Sequence, residues 1–238
     1  MKQPEPTEVR SRPAIVSRLL PPFPETDLAS VRNAFRSATP CSFRQAWLDA
    51  EAPGFSPGVV RTGWRGNLLL VFAELTDADI FSDATEFNQR AWELGDAFEI
   101  FLRAAGTKAY VEFQVTPNNQ RLQLRYSDAN ALALARKSGS IENFLIRTDA
   151  FRSLTWIEKA DCRWSVYAAI PATAVCASQE TFEDAEWQFS FGRYDYTRGA
   201  SEPVISSTSP HAQPDFHRLH EWGLMTFRSA SDPERLWT

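Results

Sequence analysis

The stretch Trp64-Arg-Gly-Asn-Leu-Leu-Leu-Val-Phe-Ala-Glu-Leu-Thr-Asp-Ala-Asp79, followed by Ala91-Trp-Glu-Leu-Gly-Asp-Ala-Phe-Glu-Ile-Phe101 and Ala109-Tyr-Val-Glu-Phe-Gln-Val-Thr-Pro117, holds three apolar runs of strand length, each closed by turn residues. Apolar runs of this length bounded by Gly, Asn, Asp or Pro read as strands. Val59 to Arg65 and Asn67 to Leu75 flank the tight turn Arg65-Gly66-Asn67 and predict a hairpin. Further on, Phe98 and Ile100 alternate with Glu99, and Val111 and Phe113 with Tyr110, Glu112 and Gln114. A period of two sends each set to one face of a sheet.

Outward from this stretch the same signal recurs. Strands are predicted over Asp96 to Arg103, Ala109 to Thr116, Arg121 to Tyr126, Phe144 to Thr148, Leu154 to Glu158 and Arg163 to Ile170. Trp187 to Asp195 and Gly223 to Phe227 complete the set, which is enough for two sheets. A helix is predicted over Asp128 to Lys137, and a short turn after Pro171. Prolines 4, 6, 13, 21, 22, 24 and 40 break up the first forty residues, leaving one helix-like piece, Asp27 to Arg36, with Asp27 as N-cap. The expected fold is an all-β, antiparallel two-sheet β-sandwich of jelly-roll type with one or two short helices. Residues 1–41 form a proline-rich arm packed irregularly on it, 42–228 the sandwich, and 229–238 a tail.

Composition agrees. Of the 238 residues 43% are apolar, enough for a full core, and eight Trp and seventeen Phe favour sheet over a helix bundle. A net charge of −5 argues against nucleic acid, whose affinity rests on clustered Lys and Arg. No apolar stretch approaches membrane-spanning length, and residues 1–10 carry prolines and acids where an export signal would carry bases and an apolar run. Cys41, Cys162 and Cys176, widely spaced and odd in number, permit at most one disulfide, and buried free thiols are the plainer reading.

The ordered series Asn67-Leu-Leu-Leu-Val-Phe-Ala-Glu-Leu, Trp92-Glu-Leu-Gly-Asp-Ala-Phe-Glu-Ile-Phe, Tyr110-Val-Glu-Phe-Gln-Val, Trp164-Ser-Val-Tyr-Ala-Ala-Ile-Pro, Trp187-Gln-Phe-Ser-Phe-Gly-Arg and Phe216-His ahead of Trp222-Gly-Leu-Met-Thr-Phe resembles carbohydrate-binding module family 9 and its DOMON-like relatives, over roughly Phe43 to Phe227. The resemblance implies a non-catalytic sugar-binding sandwich, known from xylan- and cellulose-degrading enzymes. In it two aromatic rings hold the terminal sugar of a glycan, polar side chains grip its hydroxyls, and structural calcium can be bound. It puts Trp92 at one stacking position, Phe216 at the other in place of a tryptophan, and Glu99 at a sugar-contacting acid. Gln114 stands where family members carry an arginine and Gly192 where they carry a glutamine; Arg193 and His217 are neighbouring donors, with Tyr194 and Asp195 in reserve.

Plainer readings stand beside these. Trp64, Trp164 and Trp187 lie among apolar neighbours and read as core. Trp92 serves either a ligand or its own loop. Glu99, opposite Phe98 and Ile100, serves a sugar or simply faces solvent; Tyr110, Glu112 and Gln114 line either a concave polar surface or a solvated outer face, and strand alternation points Arg193 away from Gly192. Asp77, Asp79 and Asp83, with Glu86 and Glu93 nearby, suit a calcium ion, or form soluble surface. No GxSxG, P-loop, GxGxxG or HExxH motif occurs, so the chain reads as a non-enzyme with a carbohydrate partner. The alternatives are a protein-interaction sandwich, a haem site using Met225 and a histidine from His211, His217 and His220, or a glycoside-active enzyme with two facing carboxylates.

Overall fold

A computed structural model describes residues 11–179, 181, 182 and 185–229. Residues 1–10 of the arm and 230–238 of the tail lie outside it.

Among the described residues twelve strands and three short α-helices follow one another: β1 (Ala14–Leu19), α1 (Leu28–Ala34), β2 (Cys41–Ser42), β3 (Gly58–Arg65), β4 (Leu68–Thr76), β5 (Ala97–Ala104), β6 (Tyr110–Val115), β7 (Arg121–Tyr126), α2 (Ala129–Ser138), β8 (Arg152–Glu158), β9 (Arg163–Pro171), α3 (Ala172–Val175), β10 (Glu186–Asp195), β11 (Val204–Ser207) and β12 (Gly223–Arg228). The predicted hairpin is β3–β4, with Gly66 at φ +60° supplying the left-handed turn residue. One layer runs β7-β6-β5-β10-β12 and the other β3-β4-β9-β8, with β11 beside β10 and β2 beside β3. Phe98, Ile100, Val111, Phe113 and Phe191 from the first layer meet Val71, Ala73, Val166 and Ala168 from the second in one buried core. Trp64, Trp164 and Trp187 belong to it, as expected. The all-β sandwich is therefore correct.

Two expectations change. The arm is not irregular throughout: β1 pairs in parallel with β12 over Ala14–Arg18 and with β3 at Arg18–Leu19, joining the layers into one continuous curled ladder. Pro13 and Pro21 flank this strand without interrupting it, which is where a sheet tolerates proline. The sandwich is thus antiparallel except at β1. Phe144 to Thr148 is not a strand; a 3-10 turn over Glu142–Phe144 leads into a single bridge between Leu124 and Leu145.

The helix after Asp128 forms for the reason read from its sequence. Asp128 accepts the Ala131 N–H at 2.9 Å as N-cap, the Ala/Leu run propagates, and Gly139 at φ +65° ends it. Asp27 caps α1 in the same way through Ser30 N–H. All three cysteines are free. Among the described residues no helix is long and apolar enough to cross a membrane.

Candidate functional site

Alternation on the first layer sends Glu99 and Phe101 of β5, Tyr110, Glu112 and Gln114 of β6, and Leu122, Leu124 and Tyr126 of β7 away from the inter-sheet core, to the outer face. Register places Glu99 opposite Gln114 on one side and Gly192 on the other. This face is not solvated. Helix α2 and the segment from Ser209 to Trp222 cover it, and Phe101, Tyr110, Leu122, Leu124, Tyr126, Phe216 and Trp222 form a second buried cluster there.

Between roof and sheet lies a pocket of about 550 Å³, lined by Trp92, Glu99, Glu112, Tyr126, Tyr194 and His217, with Arg90, Arg136, Asp215 and Phe216 among its other walls. Its volume lies within the roughly 300–1,000 Å³ of small-molecule sites. Trp92 stands half-buried in a 3-10 turn over Ala91–Glu93. The turn is pinned by Tyr196 Oη–H donating to the Trp92 carbonyl at 2.6 Å, and the Arg90 guanidinium lies 5.9 Å from the indole centroid.

The pocket wall is built from acids. Gln114 donates its amide hydrogens to Glu99 Oε1 at 2.5 Å and to Glu112 Oε1 at 2.7 Å, which holds the two carboxyl groups side by side. Burial, and then the charge of Glu112, raise Glu99 well above the usual carboxylate range. Glu112 rises to about 7, chiefly by burial, with the Gln114 hydrogen bond and Arg136 drawing it back. His217 places Nδ1 3.0 Å from Tyr110 Oη and Nε2 3.5 Å from Glu112 Oε2. Burial and the nearby Arg136 depress it to about 3, so the imidazole is neutral near pH 7.

Trp92, Glu99 and His217 come together in this pocket, with the reserve residue Tyr194. Gln114, wholly buried, stands behind the acids and orients them. Phe216 differs from expectation: it is 5% exposed and packed among Trp47, Phe101, Tyr194 and His211, so it backs the wall instead of standing free as a second platform.

Arg193 is corrected outright. As alternation requires, it points from β10 to the inner face, where its guanidinium donates to the carbonyls of Ser56 at 3.2 Å and Thr76 at 2.6 Å. It also contacts Asp77 at 3.3 Å and Asp195 at 3.1 Å. Glu112, read only as part of the polar face of β6, had no assigned role, and Tyr126 and Arg136 were not expected at the site. The alternation that paired Glu112 with Gln114 was the available signal for the first.

The proposed calcium ligands do not assemble. Asp79 pairs with Arg198 and Asp83 is exposed. Among the described residues, the acids close enough to share an ion are Asp77, Asp96 and Asp195, all buried. Asp96 accepts the N–H groups of Phe81 at 2.7 Å and Tyr196 at 2.8 Å. Burial and then Asp77 raise it to about 8; burial raises Asp195 to about 6 despite Arg193. These residues fit calcium poorly, because the Arg193 guanidinium already supplies positive charge against two of the three carboxylates. Of the residues named for haem, Met225 is buried in the inter-sheet core, whereas His217 lines the outer pocket and His211 is engaged by Ser190 and Glu221.

No protein-family model matches the sequence, and no curated protein matches it. Solved structures do. A candidate carbohydrate-binding protein from Bacteroides uniformis superposes with a TM-score of 0.72 at 15% identity, over 92% of this chain and 100% of its own. A carbohydrate-binding module of family 9 from Caldicellulosiruptor kristjanssonii, in complex with cellotriose, gives 0.61 at 16% identity over 95% and 99%. The same family's module from that organism in complex with glucose gives 0.59 at 15% identity over 94% and 100%. The chain has the fold of these modules.

Proposed function

We propose that this chain is a non-catalytic carbohydrate-recognition domain whose pocket takes the end of a glycan or oligosaccharide of glucan or xylan type. One observation carries the reading: on the outer face a half-buried indole, Trp92, opens onto the same pocket as two carboxyl groups, Glu99 and Glu112, whose second oxygens are not used by Gln114. A pyranose combines a C–H face that stacks on an aromatic ring with hydroxyls that donate to carboxylates. In this reading Trp92 is the platform, Glu99 and Glu112 receive hydroxyl hydrogens, His217 lends a further polar contact, and Gln114 and Phe216 hold the wall. That structures of this fold are known in complex with cellotriose and with glucose supports it.

Calorimetric titration with gluco- and xylo-oligosaccharides tests the assignment. Saturable binding that Trp92→Ala abolishes is the expected result. A folded protein that binds no glycan would overturn it and move the weight to a protein partner.

A glycoside-cleaving reading has one observation in its favour, the paired acids with raised pKa. Such enzymes flank the scissile bond with their two carboxyl groups. Here one amide nitrogen touches both, which sets them next to each other on one wall. Recognition is therefore the reading adopted, and absence of reducing-sugar release on prolonged incubation with oligosaccharides is its expected companion.

A further inference from the structure

The charge balance of the pocket narrows the sugar. At the rim, Arg136 pairs with Asp215 at 2.7 Å and Arg90 with Glu93 at 3.1 Å, so these four groups cancel in pairs. Inside, among the described residues, Glu99 and Glu112 receive no hydrogen bond or ion pair from any Lys or Arg; Gln114 is the donor to both. His217, 3.5 Å from Glu112, is depressed by burial and brings no charge near neutral pH. Gln114 itself is spent on the two acids, and its buried Oε1 has no donor. The wall therefore offers several acceptors and up to two negative charges, while the guanidinium that acts on it, Arg136, bonds to neither acid and is paired with Asp215. Buried carboxylates in that state take up protons, which is the direction in which both are shifted.

We infer that the pocket selects a sugar bearing a free primary amine, a hexosamine unit whose ammonium group sits against Glu99 and Glu112 while its ring stacks on Trp92. This inference rests on the carbohydrate-recognition reading and names the ligand of that same site. An ammonium supplies three donors and a positive charge, so it matches the two Oε2 atoms that Gln114 leaves unused as a neutral hydroxyl does not. An N-acetylated amine carries no charge and adds bulk, so the same wall discriminates against it.

Calorimetric titration of the full chain at pH 6 with fully deacetylated chitobiose, N,N′-diacetylchitobiose and cellobiose separates the possibilities. The expected result is at least about tenfold tighter binding of the deacetylated sugar, with Glu99→Gln and Glu112→Gln each shrinking that ratio severalfold. A second measurement needs no variant: repeating the wild-type titration in buffers of different ionisation enthalpy should reveal proton release, because the ammonium favours the ionised form of the acids it sits against. Neutral sugar bound as tightly as amine sugar, or no proton release, overturns the inference and leaves the carbohydrate reading standing. Absence of binding by all three sugars overturns both.

Discussion

The ring of Phe216 lies where a side chain on Gly192 would stand. A Cβ added there would meet Phe216 Cδ2 at 2.6 Å and Glu99 Oε2 at 3.0 Å. Gly192 is therefore the condition for the loop aromatic to reach the sheet and close the back of the pocket beside Glu99. Gly192→Ala should force Phe216 outward, at a cost of about 1–3 kcal/mol of overpacking. A melting temperature lowered by a few degrees, together with weakened sugar binding, is the expected outcome. Shortening the ring as well, in Gly192→Ala/Phe216→Leu, should recover part of the stability. An unchanged melting temperature for Gly192→Ala would mean the ring has room to yield.

Trp92 separates affinity from stability. Its loop is anchored through the main chain, by Tyr196 Oη–H to the Trp92 carbonyl, and its indole is half-exposed. Trp92→Ala should thus cost little stability, within about 1 kcal/mol, while binding falls below detection. Thermal melts and titrations on one preparation check both halves; a large drop in melting temperature would reassign the indole to loop packing.

These two residues also mark what a sequence can and cannot convey. Alternation put Glu99, Glu112 and Gln114 on one face and Arg193 on the other from Gly192, and all four stand so. Their burial was not legible, because the cover comes from α2 and the segment before Trp222, far along the chain. Phe216 lost its expected role for a related reason: whether a loop aromatic stands free or packs depends on the gap a distant glycine leaves. Strand β1 escaped because its pattern is short and proline-flanked, and its partners β12 and β3 lie at remote positions. Of the acids expected around calcium only Asp77 joins the inner cluster, because spacing along the loop 77–96 says nothing about Arg193 and Asp195 entering from β10.

Stability should depend on pH in a definite direction. Asp96, at about 8, and Glu112, at about 7, hold their protons more tightly folded than unfolded. Between their unfolded and folded values the native state binds more protons, so stability falls as pH rises through that window. His211 and His217 are depressed, so their contribution is lost as pH falls below about 6.5. From pH 6.5 to 8.5 the raised acids, Glu99 included, outweigh the last of the histidine titration. A loss on the order of 1–2 kcal/mol is expected across that interval. Urea melts at the two pH values measure it, and Glu112→Gln should flatten the slope; a rise in stability would contradict the buried acids.

Arg193 is the one guanidinium among Asp77, Asp96 and Asp195 that the described residues bring to this cluster, and it also fastens the carbonyls of Ser56 and Thr76. Removing one partner of a buried ion cluster leaves the others uncompensated, which costs about 3–5 kcal/mol. Arg193→Ala should therefore destabilise the domain by that order. Arg193→Lys should fall between, since an ammonium cannot serve two carbonyls and two carboxylates with a planar fork. The same reasoning bears on calcium. If the guanidinium already balances the acids, millimolar calcium or a chelator should leave the wild-type melting temperature within about 1 °C, because a ligand stabilises a fold only in proportion to its binding. A calcium-dependent rise of several degrees would instead mean that the acids bind the ion despite Arg193. Asp195→Asn would then locate it, by abolishing the rise.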